Sequence, residues 1–75
     1  MKDKFTFEAC SDLNYEGMVV DISWNDERIA TLNHDKGYIE VELFSLHDKS
    51  LKCDITEFEK ALDQAKNLLS EVNVE

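Results

Sequence analysis

Seventy-five residues with 17 acidic and eight basic side chains give a formal net charge of −9, with 43% hydrophobic and 33% charged residues. A chain this short folds as one domain that buries only about 60% of its unfolded surface, which leaves no room for a deep substrate cleft beside a core. The composition argues against disorder, no apolar run approaches the roughly 18 residues that span a bilayer, and no basic stripe exists to meet nucleic-acid phosphates.

The pattern changes once, near Asp54, from a period of two to a helical period. Before that point, β-branched and aromatic runs bounded by turn residues predict strands at about 4–9, 17–24, 28–34 and 38–45, with a short one at about 50–53. Asn25-Asp26 suits a two-residue hairpin turn, Asp35-Lys36-Gly37 a three-residue loop with Gly37 at positive φ, and His47-Asp48-Lys49 a further turn. From about 55 to 72, Ile55, Phe58, Ala61, Leu62, Ala65, Leu68, Leu69 and Val72 recur at helical spacing as one apolar stripe. Asp54 with Glu57, or Thr56 with Glu59, can form a capping box, and Cys53 before Asp54 can staple onto Phe58. With no proline, linker or repeat, residues 1–75 read as a single α+β domain. Its architecture is an antiparallel β-meander of four to five strands with one C-terminal amphipathic helix packed on one face.

The two hairpins together set a register. The turn at 25–26 places Asp21 opposite Ala30 and Ile22 opposite Ile29; the loop at 35–37 places Ala30 opposite Glu42 and Ile29 opposite Leu43. One face then carries Met18, Val20, Ile22, Trp24, Ile29, Thr31, Ile39, Val41 and Leu43, joined by Phe5 and Phe7, and lies under the helix. The other carries Val19, Asp21, Arg28, Ala30, Leu32, His34, Tyr38, Glu40, Glu42 and Phe44.

Charge is uneven. Residues 1–48 hold eleven acids and four bases, a net of −7, and residues 49–75 hold six and four, a net of −2. Between Lys4 and Arg28 there is no base, only Glu8, Asp12, Glu16, Asp21, Asp26 and Glu27. Such self-repulsion works against a compact state; it serves solubility or it awaits a basic partner.

Nothing local assembles a catalytic centre. His34 and His47 lie near turns, and neither Cys10 nor Cys53 has an activating neighbour. The oxygen ligands of Asp21–Asp26 lack the glycine and the closing glutamate of a calcium loop, with Asp26 and Leu32 in those places. Asp21, Glu40 and Glu42 could be drawn as paired carboxylates, but an open sheet neither raises a pKa nor excludes water. No catalytic residue, cofactor or metal ligand is therefore expected. Met1–Phe7 lacks the apolar stretch of a secretory signal, which together with widely spaced cysteines leads to the expectation of a cytoplasmic protein with unpaired thiols.

The outer sheet face has the makings of an interface: Asp21, Glu40 and Glu42 for steering, with Tyr38, Leu32 and Phe44 as anchors. The alternative is that loop residues cover it.

The short acidic chain, the hairpin Ser23-Trp24-Asn25-Asp26-Glu27-Arg28-Ile29-Ala30, the segment Asp35-Lys36-Gly37-Tyr38-Ile39-Glu40-Val41-Glu42 and the helix opened by Asp54-Ile55-Thr56-Glu57-Phe58 resemble small bacterial immunity proteins of the polymorphic-toxin and contact-dependent growth inhibition type. The resemblance is one of general character and transfers no residue role. It implies a tight complex with a cognate toxin, often a basic nuclease domain, whose active site the immunity protein occludes. The competing expectation is a small structural or regulatory adaptor that forms a homodimer through a sheet edge.

Overall fold

The computed structural model describes residues 4–44 and 50–73. Four strands follow one another in the chain, β1 (Phe5–Ser11), β2 (Met18–Trp24), β3 (Glu27–Asn33) and β4 (Glu40–Leu43), and one helix, α1 (Ile55–Val72), closes it. The strands pair antiparallel in the order β1-β2-β3-β4, and the helix packs on one side of the sheet. This is the expected α+β meander with four strands. Residues 50–53 do not form a fifth strand: Leu51 packs against the core and the segment leads into the helix cap instead of pairing. The turn expected at 47–49 lies outside the described residues. No helix among them is long and apolar enough to cross a membrane.

The first hairpin turns at Asn25 and Asp26, whose φ values of 49° and 71° are the two left-handed positions a two-residue turn requires. Asn25 also receives the Lys4 N–H on its side chain at 3.1 Å and donates its own N–H to Lys4 O at 2.8 Å, tying the turn to the start of β1. The pairing then departs from the expected register. Ser23 faces Arg28, but Ile22 faces Ala30 and Asp21 faces Thr31, so a β-bulge inserts one residue at Ile29. Ile29 and Ala30 are adjacent apolar residues that strict alternation would send to opposite faces. The bulge lets both enter the core, while Arg28 keeps its outward place opposite Ser23.

A second shift follows. The β3–β4 connection runs from His34 to Ile39 instead of spanning three residues, because Asn33 and Glu40 form the last pair. Asn33 Oδ1 accepts the Asp35 N–H at 3.1 Å and Gly37 N–H reaches His34 O at 3.4 Å, with Gly37 at φ 84° as expected of the turn glycine.

The core sits between α1 and the first three strands. Val20, Ile22, Ile29, Ala30 and Leu32 meet Ala65 and Leu69, with Phe5, Phe7, Trp24, Phe58 and Leu62 around them. The buried alanines Ala61 and Ala65 let the helix approach the sheet closely, and Phe58 closes one end against Phe5 with ring centroids 6.1 Å apart. Each fully buried side chain such as Ile22 or Leu69 contributes roughly 1.5–3 kcal/mol by leaving water. Asp54 caps α1, its carboxylate accepting from Thr56 N at 2.7 Å and Glu57 N at 3.3 Å. Ile55, first in the apolar stripe, is exposed. At the other end Asn73 clasps the start of β2, its amide donating to Met18 O at 3.1 Å while its Oδ1 accepts from Met18 N at 3.1 Å.

Candidate protein-binding face

The sheet face turned away from the helix carries Thr6, Glu8 and Cys10 of β1, Val19, Asp21 and Ser23 of β2, Thr31 and Asn33 of β3, and Glu40 and Glu42 of β4. The two one-residue shifts cancel across β3. Asp21, Glu40 and Glu42 therefore share this face as expected, while Ala30–Asn33 of β3, beyond the bulge, are inverted; Arg28 and Ile29 keep their expected faces. Leu32, expected among the anchors here, faces the helix and is buried in the core, and so is Ala30; Thr31, expected under the helix, faces outward.

The inversion has chemical consequences. The row that crosses the sheet reads Asp21–Thr31–Glu42. Asp21 Oδ1 accepts the Thr31 hydroxyl at 2.7 Å, its Oδ2 accepts the Cys10 thiol at 3.6 Å, and Arg28 lies 3.8 Å away. The Arg28 guanidinium rests over the Phe44 ring, 4.5 Å from its centroid. In the next row, Glu40 accepts from buried Asn33 Nδ2 at 3.0 Å and from Lys36 Nζ at 2.9 Å. These two donors, the amide first, hold the Glu40 carboxyl below its ordinary pKa and keep it ionised. Lys36 is raised in turn by its bond to Glu40. Burial and the neighbouring Asp21 carboxylate push the Cys10 thiol up, so it is held protonated. Both Cys10 and Cys53 are half-buried and no disulfide joins them.

The face is partly covered by the loop between β1 and β2. Tyr15 donates its phenol to Glu42 Oε1 on the far edge strand at 3.0 Å, and that bond, ahead of the loss of hydration, raises the phenol's pKa. Strands lie about 4.8 Å apart, so a side chain arriving from the β1–β2 loop and ending on β4 must run over the face. Val19, Thr31 and Asn33 on that face are all buried. The same loop displays Leu13 fully to solvent: Asp12 accepts Asn14 N on its side chain at 2.8 Å and Tyr15 N on its carbonyl at 3.0 Å, and the tight turn leaves Leu13 at its tip. Asp35 fastens this loop to the β3–β4 loop by accepting from Glu16 N at 2.9 Å and Gly17 N at 3.2 Å.

Among the described residues, the outer face and these two loops thus hold seven carboxylates, Glu8, Asp12, Glu16, Asp21, Asp35, Glu40 and Glu42, against two cations, Arg28 and Lys36. Tyr38 stands exposed in the β3–β4 loop, and Phe44 is half-buried beneath Arg28. Leu13 and Tyr15 did not emerge from the sequence pattern, although Asp12-Leu13-Asn14 has the composition of a side-chain-capped turn. Thr31 had a signal too, since a hydroxyl assigned to a core face needs an acceptor there. Comparison with known proteins finds no matching family model, no matching curated protein and no matching solved structure.

Proposed function

We propose that this chain is a non-catalytic protein-binding module of the cytoplasm that holds a basic partner against its acidic sheet face. In this reading it acts as an immunity protein that occludes the active site of a basic toxin, such as a nuclease domain. The observation that carries the reading is the seven-to-two excess of carboxylates over cations on that face and its loops. A positive groove is steered toward such a field and associates faster for it. Glu40 and Glu42 are held in place by Asn33, Lys36 and Tyr15, so little side-chain freedom remains to be lost when a lysine or arginine arrives. Leu13 and Tyr38, both exposed beside the carboxylates, supply apolar contacts of the kind that slow dissociation.

The test is capture from a bacterial lysate with the chain as bait, washed in low and then moderate salt. The reading expects one dominant basic partner, lost when Glu40→Lys and Glu42→Lys are combined in a bait whose unfolding curve remains cooperative. Capture of nothing at any salt, or undiminished capture by the double variant, contradicts it.

A further inference from the structure

The helix that covers the sheet stops short of its last strand. The helix packs on β1, β2 and β3, with Ala65 and Leu69 against Val20, Ile22 and Leu32, whereas the helix-side residues at β4 remain bare: Ile39, just before the strand, is 38% exposed, Val41 46% and Leu43 71%. Val41 and Leu43 face that side because they pair with Leu32 and Ala30. Between this strip and α1 runs a groove lined by Leu32, Ile39, Val41, Leu62 and Lys66. β4 is also the edge of the sheet, and among the described residues no strand pairs with its far side.

The hydrogen-bond phase shows what that edge offers. Phe44 N–H donates to Ile29 O at 2.9 Å. Bonded and non-bonded pairs alternate in an antiparallel ladder, so Glu42 and Glu40 direct their backbone groups to β3 while Val41 and Leu43 direct theirs outward. The residues whose side chains line the bare apolar strip are therefore the ones with backbone donors and acceptors to give.

We propose that β4 takes up an extended segment of a partner protein as a fifth strand, the segment alternating apolar residues toward α1 with basic residues toward Glu40 and Glu42. This rests on the reading of the chain as a binder of basic proteins and specifies how part of that contact is made. Side chains of adjacent strands stand side by side on the same face. The neighbour of Val41 and Leu43 on the groove side thus meets apolar carbon, and the neighbour of Glu40 and Glu42 meets carboxylate. Lys66 on the groove wall disfavours a basic side chain on that side.

A second copy of this chain fits the same edge poorly. A two-fold centred on Val41 sets Glu40 against Glu42 in both directions, and one centred on Glu42 or Glu40 sets that carboxylate against its own copy. Like charges directly opposite are destabilising, and each copy brings a further −9. A basic alternating strand removes the same repulsion.

The experiment is an amide NMR titration of the full chain with a blocked heptapeptide alternating lysine and valine. The controls are a peptide of the same composition with its valines and lysines in blocks and one alternating glutamate with valine. The proposal expects shifts concentrated at residues 39–44 with Leu32 and Leu62, slowed exchange of the Val41 and Leu43 amides, and at least tenfold weaker binding of both controls. Leu43→Lys, at an exposed position, and Val41→Pro, which removes an outward N–H and no bond to β3, should each weaken the alternating peptide at least tenfold. Equal binding of the block peptide, with shifts spread over Glu8, Asp12 and Glu16, would overturn the edge proposal while leaving the acidic-face reading intact. Absence of binding by the alternating peptide would also overturn it. Shifts of residues 39–44 that grow with protein concentration alone would overturn it in favour of a second copy.

Discussion

The Thr31 hydroxyl donates to Asp21 at 2.7 Å across the centre of the sheet, and it does so only because one extra residue at Ile29 turns β3 over. Without the bulge Asp21 would face Ala30, and a carboxylate on a central strand would lose its shortest bond. Thr31→Val keeps the shape and removes the donor, so it should cost about 0.5–1.5 kcal/mol in urea unfolding, the net worth of a hydrogen bond whose half-buried acceptor Asp21 keeps Cys10 and Arg28 beside it. Asp21→Ala should make Thr31→Val nearly silent. Additive losses from the two substitutions would mean that the bond contributes little.

Asn73 and Gly17 give a second coupled pair. A Cβ on Gly17 would sit 2.9 Å from Asn73 Oδ1, the atom that accepts the Met18 N–H. Gly17→Ala should therefore displace the Asn73 side chain and cost about 1 kcal/mol, the order of the hydrogen bonds it breaks. In an Asn73→Ala background the clash is gone, and Gly17→Ala should become neutral or stabilising by roughly 0.4–1 kcal/mol through the unfolded chain. A double-mutant cycle in urea checks this change of sign.

Glu40 and the Tyr15 phenol predict opposite pH dependences. Glu40 has its folded pKa depressed by Asn33 and Lys36, so its contribution is present above the unfolded value, roughly 4.3, and is lost as pH falls through the folded value. The stability difference between wild type and Glu40→Gln should thus be present at neutral pH and vanish in acid. Tyr15 is the reverse, because its phenol is raised above 10.0 by Glu42. The difference between wild type and Tyr15→Phe should persist below the unfolded value and disappear as pH climbs through the folded one. Phenolate absorbance should show one tyrosine ionising late, and Glu42→Gln should bring it back toward the ordinary range.

Much of this was legible in the sequence, and the misplacements on the sheet face have one source. The helix from Ile55 to Val72, its Asp54 cap, the Asn25-Asp26 turn and the positive φ of Gly37 follow from local chemistry that tertiary contacts had no reason to override. Register is non-local: the first hairpin departs by one residue beyond Ser23–Arg28, and the second by one residue throughout. The two shifts cancel between β2 and β4, so Asp21, Glu40 and Glu42 share one face, and they act on Ala30–Asn33 of β3, so Leu32 faces the helix instead. The adjacent pair Ile29-Ala30 was the available sign of a bulge. The Tyr15–Glu42 bond spans 27 positions and leaves no periodic trace.

Cys10 offers a chemical check on the outer face. Burial and Asp21 hold its thiol protonated, so alkylation by iodoacetamide at neutral pH should be slower than that of a free thiol such as glutathione. Asp21→Asn, which removes the nearest negative charge, should accelerate it. Mass spectrometry of the digested chain reads the Cys10 peptide directly.

The central claim is that the partner meets the sheet face, not merely a negatively charged protein. Two baits with equal net charge separate these: Glu40→Lys with Glu42→Lys on β4, and Glu59→Lys with Asp63→Lys on the exposed side of α1. Comparing partner capture by the two in moderate salt is the most direct measurement. The helix variant should retain the basic partner and the β4 variant should lose it. Equal loss from both, or loss from the helix variant alone, would contradict the claim.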